Sequence, residues 1–356
     1  MTSGKVTKVL HLQTSLNLTC GITRYLQSLH NNHVDEFHMT VLCYDGDAVE
    51  NLRENGVDVK LFNSSLTWYY LLSNLLQIIR IVKNSNISII HSHHRWLDVL
   101  GSISAKLCGI SSIMTCHSIV SGKKFLSYRS DRIIAVSSAV YTNLTEYFGV
   151  NSSRIILLRN GIDPSVYKKD NLSYTGIKNN AIGFVGRLTR DKGFDIFLSI
   201  GERILEINSE IKLIIAGDGE LKEAISSLSR RYPSQVIYKG VVKNIESVYS
   251  EISFLIMPSE LDSFPYVVLE AGLFSLVVIA SSTGGIPEII EDGIDGRLIG
   301  TRTPDDFFKE VLYVLNNRAV AERWSVNLFK KVSQNFSFSS HARKLESIYK
   351  KLNVFK

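Results

Sequence analysis

Short runs of β-branched and aliphatic residues recur along this chain, each followed by a longer segment of helical spacing or by turn residues. The rhythm breaks once and restarts. "KVTKVLHLQ", "FHMTVLCY", "VDVKLF", "ISIIHSH", "SSIMTCH", "RIIAVS" and "RIILLRNG" read as strands, with helical spacing over 21–31, 65–83 and 98–108. After the polar stretch "YKKDNLSYTGIKNN" come "AIGFVGR", "IKLIIAGDG", "VIYKGVV", "FLIMPS", "LVVIAS" and "GRLIG". Strands that alternate with helices are joined by crossovers, which align the strands in parallel and cover both faces of the sheet. The predicted class is therefore α/β, with two Rossmann-like doubly wound domains in tandem, residues 1–168 and 175–336, facing across a cleft. The linker is expected near 167–180. A length of 356 residues agrees with two cores rather than one. In such domains ligands bind beyond the carboxyl ends of the strands, here in the cleft.

The remaining chemistry is narrowed by what the composition excludes. With 45% hydrophobic and 21% charged residues the chain is neither disordered nor fibrous. Cys20, Cys43, Cys108 and Cys116 have no metal-ligand or redox-pair spacing and suit reduced thiols in the cytoplasm. The first residues carry no long apolar run of a secretory signal, so triplets such as Asn17-Leu18-Thr19 have no glycosylation meaning. The net charge is +6, of which +5 falls in residues 1–176. That excess is read either as solubility or as attraction to an anionic membrane or a phosphorylated acceptor. No zinc pattern, arginine-rich arm or stacking-aromatic motif supports nucleic acid. A hydride-transfer enzyme needs a Gly-x-Gly-x-x-Gly turn after its first strand, which "HLQTSLNLTCG" lacks.

Two stretches carry charge where the topology places a ligand. In "GFVGRLTRDKGFDIFL" Val185 ends a strand, Gly186 and Gly193 loosen the turn, and Arg187 and Lys192 flank it where a helix begins. The pair is read as an anion grip suited to a diphosphate or, from spacing alone, as a solvated surface pair. In "PSELDSFPYVVLEAGLF" Pro265 opens a helix, with Asp262 in the loop before it and Glu270 within it. Both carboxylates can then look into one cleft beside the amides of Val267 and Val268, or serve as a loop cap and a surface residue.

These stretches, with "LIIAGDGE", "YKGVV", "SSTGGIPEIIEDGIDG" and "RNGID", stand in the order and spacing of family 4 of the retaining glycosyltransferases, which the chain resembles across nearly the whole second domain. In the first domain "CGITRYLQSL" is similar to the family's first loop, "ISIIHSH" to its His-ending strand and "MTCHS" to its later histidine-bearing strand end. The resemblance implies the two-Rossmann GT-B fold and a nucleotide-diphosphate sugar, UDP- or GDP-linked, as donor. It also implies that the closing segment, about 337–356, is a helix crossing back to the first domain. By the family pattern Arg187 and Lys192 hold the diphosphate and neutralise charge as the glycosidic bond breaks. Glu270 accepts hydrogen bonds from the ribose, while Asp262, Ser263, Phe264 and Pro265 contact the donor sugar. Gly217 and Val242 lie near ribose and base, and Gly21 where the first loop approaches the phosphates. The first acid of the motif is most often glutamate in the family and is Asp262 here; Cys20 stands where many members have glycine. The donor sugar therefore cannot be copied from a typical member.

His117 matches a family histidine near the donor sugar and is the first-domain side chain expected to act, the alternative being a structural histidine. His91, His93 and His94 lack a separated fourth ligand and are expected to edge the cleft rather than bind zinc. Asp45-Gly46-Asp47 is expected to be a turn, not a metal site, so no metal or other cofactor is expected. "SLTWYYLLSNLLQIIRIVK" and the basic residues Lys123, Lys124, Arg129 and Arg132 suit a lipid-linked acceptor at the inner membrane face. The run is too short and too interrupted to span a bilayer, and a helix buried in the first domain is its other reading. The expected function is a cytoplasmic, metal-independent retaining transferase for surface polysaccharide or lipopolysaccharide, with a glycan or lipid-linked acceptor. A sugar-nucleotide epimerase and a non-catalytic subunit are the alternatives.

Overall fold

The computed structural model describes residues 6–354 apart from 19, 33–36, 66, 125–126 and 168–179. It divides into two compact units, Met1–Gly161 with Phe338–Lys356 and Ile162–Ser337. The expected linker thus lies almost wholly outside the described residues. The division falls ahead of residue 168 because the Ile162 N–H already donates to the Phe336 carbonyl at 2.7 Å, inside the second unit.

The first unit holds β1 (Thr7–Leu12), β2 (Phe37–Cys43), β3 (Asp58–Leu61), β4 (Ile89–Ser92), β5 (Ser111–Cys116), β6 (Arg132–Ala135) and β7 (Ile155–Leu157). All pair in parallel in the order β3-β2-β1-β4-β5-β6-β7. The helices are α1 (Gly21–Asn31), α2 (Val49–Glu54), α3 (Leu71–Ser85), α4 (Arg95–Cys108) and α5 (Ser138–Thr142). Strands buried on both faces read as unbroken apolar runs, which is why they were legible. The helix expected from residue 65 starts only at Leu71, after a 3-10 turn over Trp68–Tyr70.

The second unit repeats the plan with β8 (Ala181–Val185), β9 (Lys212–Ala216), β10 (Val236–Gly240), β11 (Phe254–Met257), β12 (Val277–Ser281) and β13 (Arg297–Ile299). These are parallel in the order β10-β9-β8-β11-β12-β13. Its helices are α6 (Phe194–Ile207), α7 (Ile225–Arg231), α8 (Glu246–Glu251), α9 (Tyr266–Leu273), α10 (Pro304–Asn316) and α11 (Arg318–Asn335). Phe194, Phe197 and Phe307 are wholly buried in its core; each contributes about 2–3 kcal/mol of burial.

The last helix, α12 (Phe338–Val354), belongs to the first unit, as the resemblance implied. Its Tyr349 hydroxyl hydrogen-bonds His91 Nδ1 at 2.5 Å, and the Leu352 carbonyl accepts from the Ser111 hydroxyl at 3.0 Å. In each sheet the chain reverses direction beside the first strand, between β1 and β4 and between β8 and β11. Doubly wound sheets bind ligands at those reversal points.

Candidate active site

At the reversal point of the second unit, β8 ends at Val185 and the chain passes through a 3-10 turn, Arg190–Lys192, before α6. Gly193 joins them at φ +72°, and a Cβ there would stand 2.1 Å from the Pro258 carbonyl oxygen. Only glycine permits that approach, which presses the loop after β8 onto the loop after β11. Across this contact Lys192 Nζ donates to Asp262 Oδ2 at 2.6 Å, with the two side chains only 23% and 15% exposed. Arg187 reaches Asp191 Oδ2 at 2.8 Å in a pair 66% and 50% exposed.

The Asp262 loop is braced by backbone. Gly285 N–H donates to the Asp262 carbonyl at 2.8 Å, Glu260 N–H to the Asp191 carbonyl at 2.8 Å, and Arg302 Nε to the Pro258 carbonyl at 3.0 Å. Partial burial alone would raise the Asp191 carboxyl; hydrogen bonding and the charges of Arg187 and Lys192 outweigh it and hold the group below the usual carboxylate range. Two cations thus face two carboxylates at one end of the sheet.

Glu270 departs from the expected pairing with Asp262. It is wholly buried, and its two oxygens accept from the hydroxyls of Tyr167 at 2.7 Å and Tyr249 at 2.6 Å. It lies on the inward face of α9, where residues 268–273 are all buried. Phe264 likewise turns into the core, its ring 5.7 Å from that of Phe336, so its side chain is not presented to a sugar. Ser263 and Pro265 are buried too. The Val268 N–H closes back on the Pro265 carbonyl at 3.3 Å, which leaves Val267 as the expected amide at the first turn of α9. Gly217 sits at φ +138° with its Cβ position 1.8 Å from the Gly186 carbonyl oxygen, so its glycine is required by packing of the loops after β8 and β9. Val242, half-buried, lies just past β10, and Gly21 is the first residue of α1. A cavity of about 360 Å³ beside Asn180, Lys212 and Ile237 lies at the opposite, N-terminal edge of the sheet.

In the first unit His117 follows the end of β5 and is half-buried. Its Nε2 lies 3.0 Å from His93 Nδ1, and His93 Nε2 lies 2.9 Å from His11 Nδ1. His91 and His93 are buried and do not edge an opening; His94 instead accepts the Trp96 N–H at the start of α4. His11 comes into the cluster because β1 pairs with β4 in the register His11↔His91. The ring nitrogens of His11, His91 and His93 lie within 4.8 Å of one another. His91 spends both of its own on the Tyr349 and Thr115 hydroxyls, at 2.5 and 2.7 Å. Burial, then repulsion among the rings, pushes His91 and His93 well below the ordinary histidine range. Burial, with the charge of His341, lowers His117 to about 3.

Asp45 and Asp47 belong to a turn: the Asp45 carbonyl accepts the Leu16 N–H at 2.9 Å and Asp47 Oδ1 the Leu18 N–H at 2.7 Å. Lys123 and Lys124 lie over the rings of Trp96 and Tyr147, 4.4 and 4.2 Å from their centroids. Tyr69 to Leu72 and Leu76 are exposed around the start of α3, so that end is not the buried helix of the alternative reading.

Residues 19–166 match the family model described as Glycosyltransferase Family 4, and residues 179–317 the model described as Glycosyl transferases group 1. An uncharacterized glycosyltransferase of Methanocaldococcus jannaschii is 27% identical over 355 residues, covering 94% of this chain and 95% of its own. The Escherichia coli UDP-Gal:alpha-D-GlcNAc-diphosphoundecaprenol alpha-1,3-galactosyltransferase is 23% identical over 377 residues, covering 96% of each. The fold is similar to that of Anabaena HepE, crystallised in complex with UDP-glucose, with a TM-score of 0.82 at 18% identity over 97% of this chain and 99% of that one.

Proposed function

The chain belongs to the family 4 glycosyltransferases, with their GT-B fold, and from that premise we propose that it is a retaining, metal-independent enzyme. It moves a sugar from a UDP-sugar to a glycan or lipid-linked acceptor of a surface polysaccharide or lipopolysaccharide. The observation that carries this reading is the Lys192–Asp262 contact at the strand-order reversal, with Arg187 on the same turn. On donor binding Lys192 and Arg187 exchange their carboxylate partners for the diphosphate and neutralise it as leaving group. Asp262, released from Lys192, accepts a hydrogen bond from a sugar hydroxyl. The acceptor oxygen bonds to the anomeric carbon on the face from which the phosphate oxygen departs, and that oxygen takes the acceptor proton. Glu270, buried between two tyrosines, is unsuited to covalent attack on a sugar, which supports a mechanism without a carboxylate nucleophile. The UDP choice is supported by the names of the Escherichia coli relative and the Anabaena complex.

The test is a thermal-shift and product assay with UDP-glucose, UDP-galactose, UDP-N-acetylglucosamine and GDP-mannose, with and without EDTA. A UDP-sugar at 100-fold its Kd is expected to add about 2.7 kcal/mol, roughly 5–10 °C in Tm. An α-linked product should form undiminished in EDTA. No shift with any donor, a β-linked product, or loss of transfer in EDTA that manganese restores would each remove the corresponding clause.

The exposed cluster Tyr69, Tyr70, Leu71, Leu72 and Leu76 supports docking of the first unit on an anionic membrane surface, where a lipid-linked acceptor resides. Among the described residues no helix is long and apolar enough to cross a membrane. Leu72→Glu with Leu76→Glu is expected to weaken binding to phosphatidylglycerol vesicles at least about 10-fold with an unchanged melting temperature. Equal flotation of the variant and the parent chain would dismiss the membrane contact.

A further inference from the structure

His11, His93 and His117 form a file of rings leading from the sheet of the first unit to its partly exposed end at His117. Successive ring centroids are 5.3 Å apart, and the N···N contacts are 2.9 and 3.0 Å. Tyr25 packs edge-on against His117 and tilted against His93, with its own hydroxyl 3.1 Å from His341 Nε2, so the rings have little room to turn.

A neutral imidazole carries one ring proton. Three neutral rings therefore carry three, and each of the two N···N contacts needs one. Only two arrangements satisfy this. If His11 donates from Nδ1, His93 accepts at Nε2 and donates from Nδ1, and His117 accepts at Nε2 and holds its proton on Nδ1. If instead His117 donates from Nε2, His93 donates from its own Nε2, and His117 Nδ1 is a bare lone pair. A change at His11 is thus felt at His117 without any movement of the backbone. Burial, with repulsion from the neighbouring rings at His93 and from His341 at His117, keeps these two rings neutral near pH 7, which holds them to these two states.

We propose that His93, backed by His11, is a positioning residue for sugar transfer, deciding whether His117 Nδ1 donates to or accepts from a hydroxyl of the reacting sugar or acceptor. This rests on the sugar-transfer reading above and on the expectation, implied by the family resemblance, that His117 lies near the donor sugar. His93 touches neither; it acts through the ring it holds.

The experiment uses the full chain labelled with ¹⁵N-histidine, together with kcat and KM for UDP release from UDP-glucose. His93→Leu removes both contacts. His93→Asn keeps a side-chain amide near the place of Nδ1, where it can still bond His117 Nε2. In the parent chain His117 is expected to show one dominant tautomer. His93→Leu should give averaged ¹⁵N shifts at His117 and a kcat lower by about 10- to 100-fold, with the donor KM changed less than about 3-fold. His93→Asn should retain the tautomer and most of kcat. Unchanged His117 shifts in His93→Leu, or an equal loss of kcat in both variants, would overturn the proposal. Wild-type turnover by His117→Ala would remove the underlying reading and the proposal with it; the His93→Leu spectrum tells that failure apart from a failure of the coupling itself.

Discussion

Lys192→Ala and Arg187→Ala are each expected to lower the rate of sugar transfer about 10²- to 10³-fold, the loss of roughly 2.7–4 kcal/mol of stabilisation for the departing diphosphate. Their effects on stability should separate. Arg187 and Asp191 form a solvent-exposed pair, so losing the guanidinium changes folding by less than about 1 kcal/mol. Lys192 and Asp262 are mostly shielded, and Lys192→Ala leaves a carboxylate without its counter-charge, which costs more. Adding Asp262→Ala should recover part of that stability without recovering turnover. The measurement is kcat beside the urea midpoint for the single and double variants; near-normal transfer by both single variants would eliminate the cationic grip.

Acid is expected to unfold the first unit well before it unfolds a typical protein. His91 and His93 lie well below the ordinary histidine range, and His117 and His341 fall to about 3 and about 4, with burial the leading cause in every case. In the unfolded chain each titrates near 6.5. Above that pH neither state is protonated and these groups do not affect stability. Below it the unfolded chain takes up protons that the folded unit refuses, and each fully suppressed histidine costs about 1.4 kcal/mol per pH unit until its folded value is reached. The rings of His91, His93, His117 and His341 therefore all lower stability as the pH falls below about 6.5, the loss from His341 continuing to about pH 4. Calorimetry should show one transition falling steeply from pH 7 to 5; a melting temperature flat over that range would contradict the neutral, buried state of the cluster.

The strands were legible because parallel sheets need unbroken apolar runs, and those runs are bounded by glycine and polar turns. The Arg187 and Lys192 turn and the Pro265 start of α9 were legible for the same local reasons. What lay beyond reach depended on strand order and on which face of a helix is covered. Nothing in the spacing of "HLQ" and "HSHH" says that His11 and His91 are register partners. Glu270 looked available because it follows Asp262 by two turns of pattern, yet its position on α9 turns it toward Tyr167 and Tyr249, which lie 103 and 21 residues earlier in the chain. Asp191, the partner of Arg187, stood in the quoted turn at i+4 and was the one missed residue with a local signal.

The return of α12 to the first unit reverses the usual sequence of events at the ribosome. A nascent chain that has emerged only through Ser337 already contains every residue of the second unit, but it lacks the tyrosine hydroxyl that meets His91 and the carbonyl that receives Ser111. The half synthesised first is therefore completed after the second, and until α12 emerges its seven-stranded sheet waits with a missing wall.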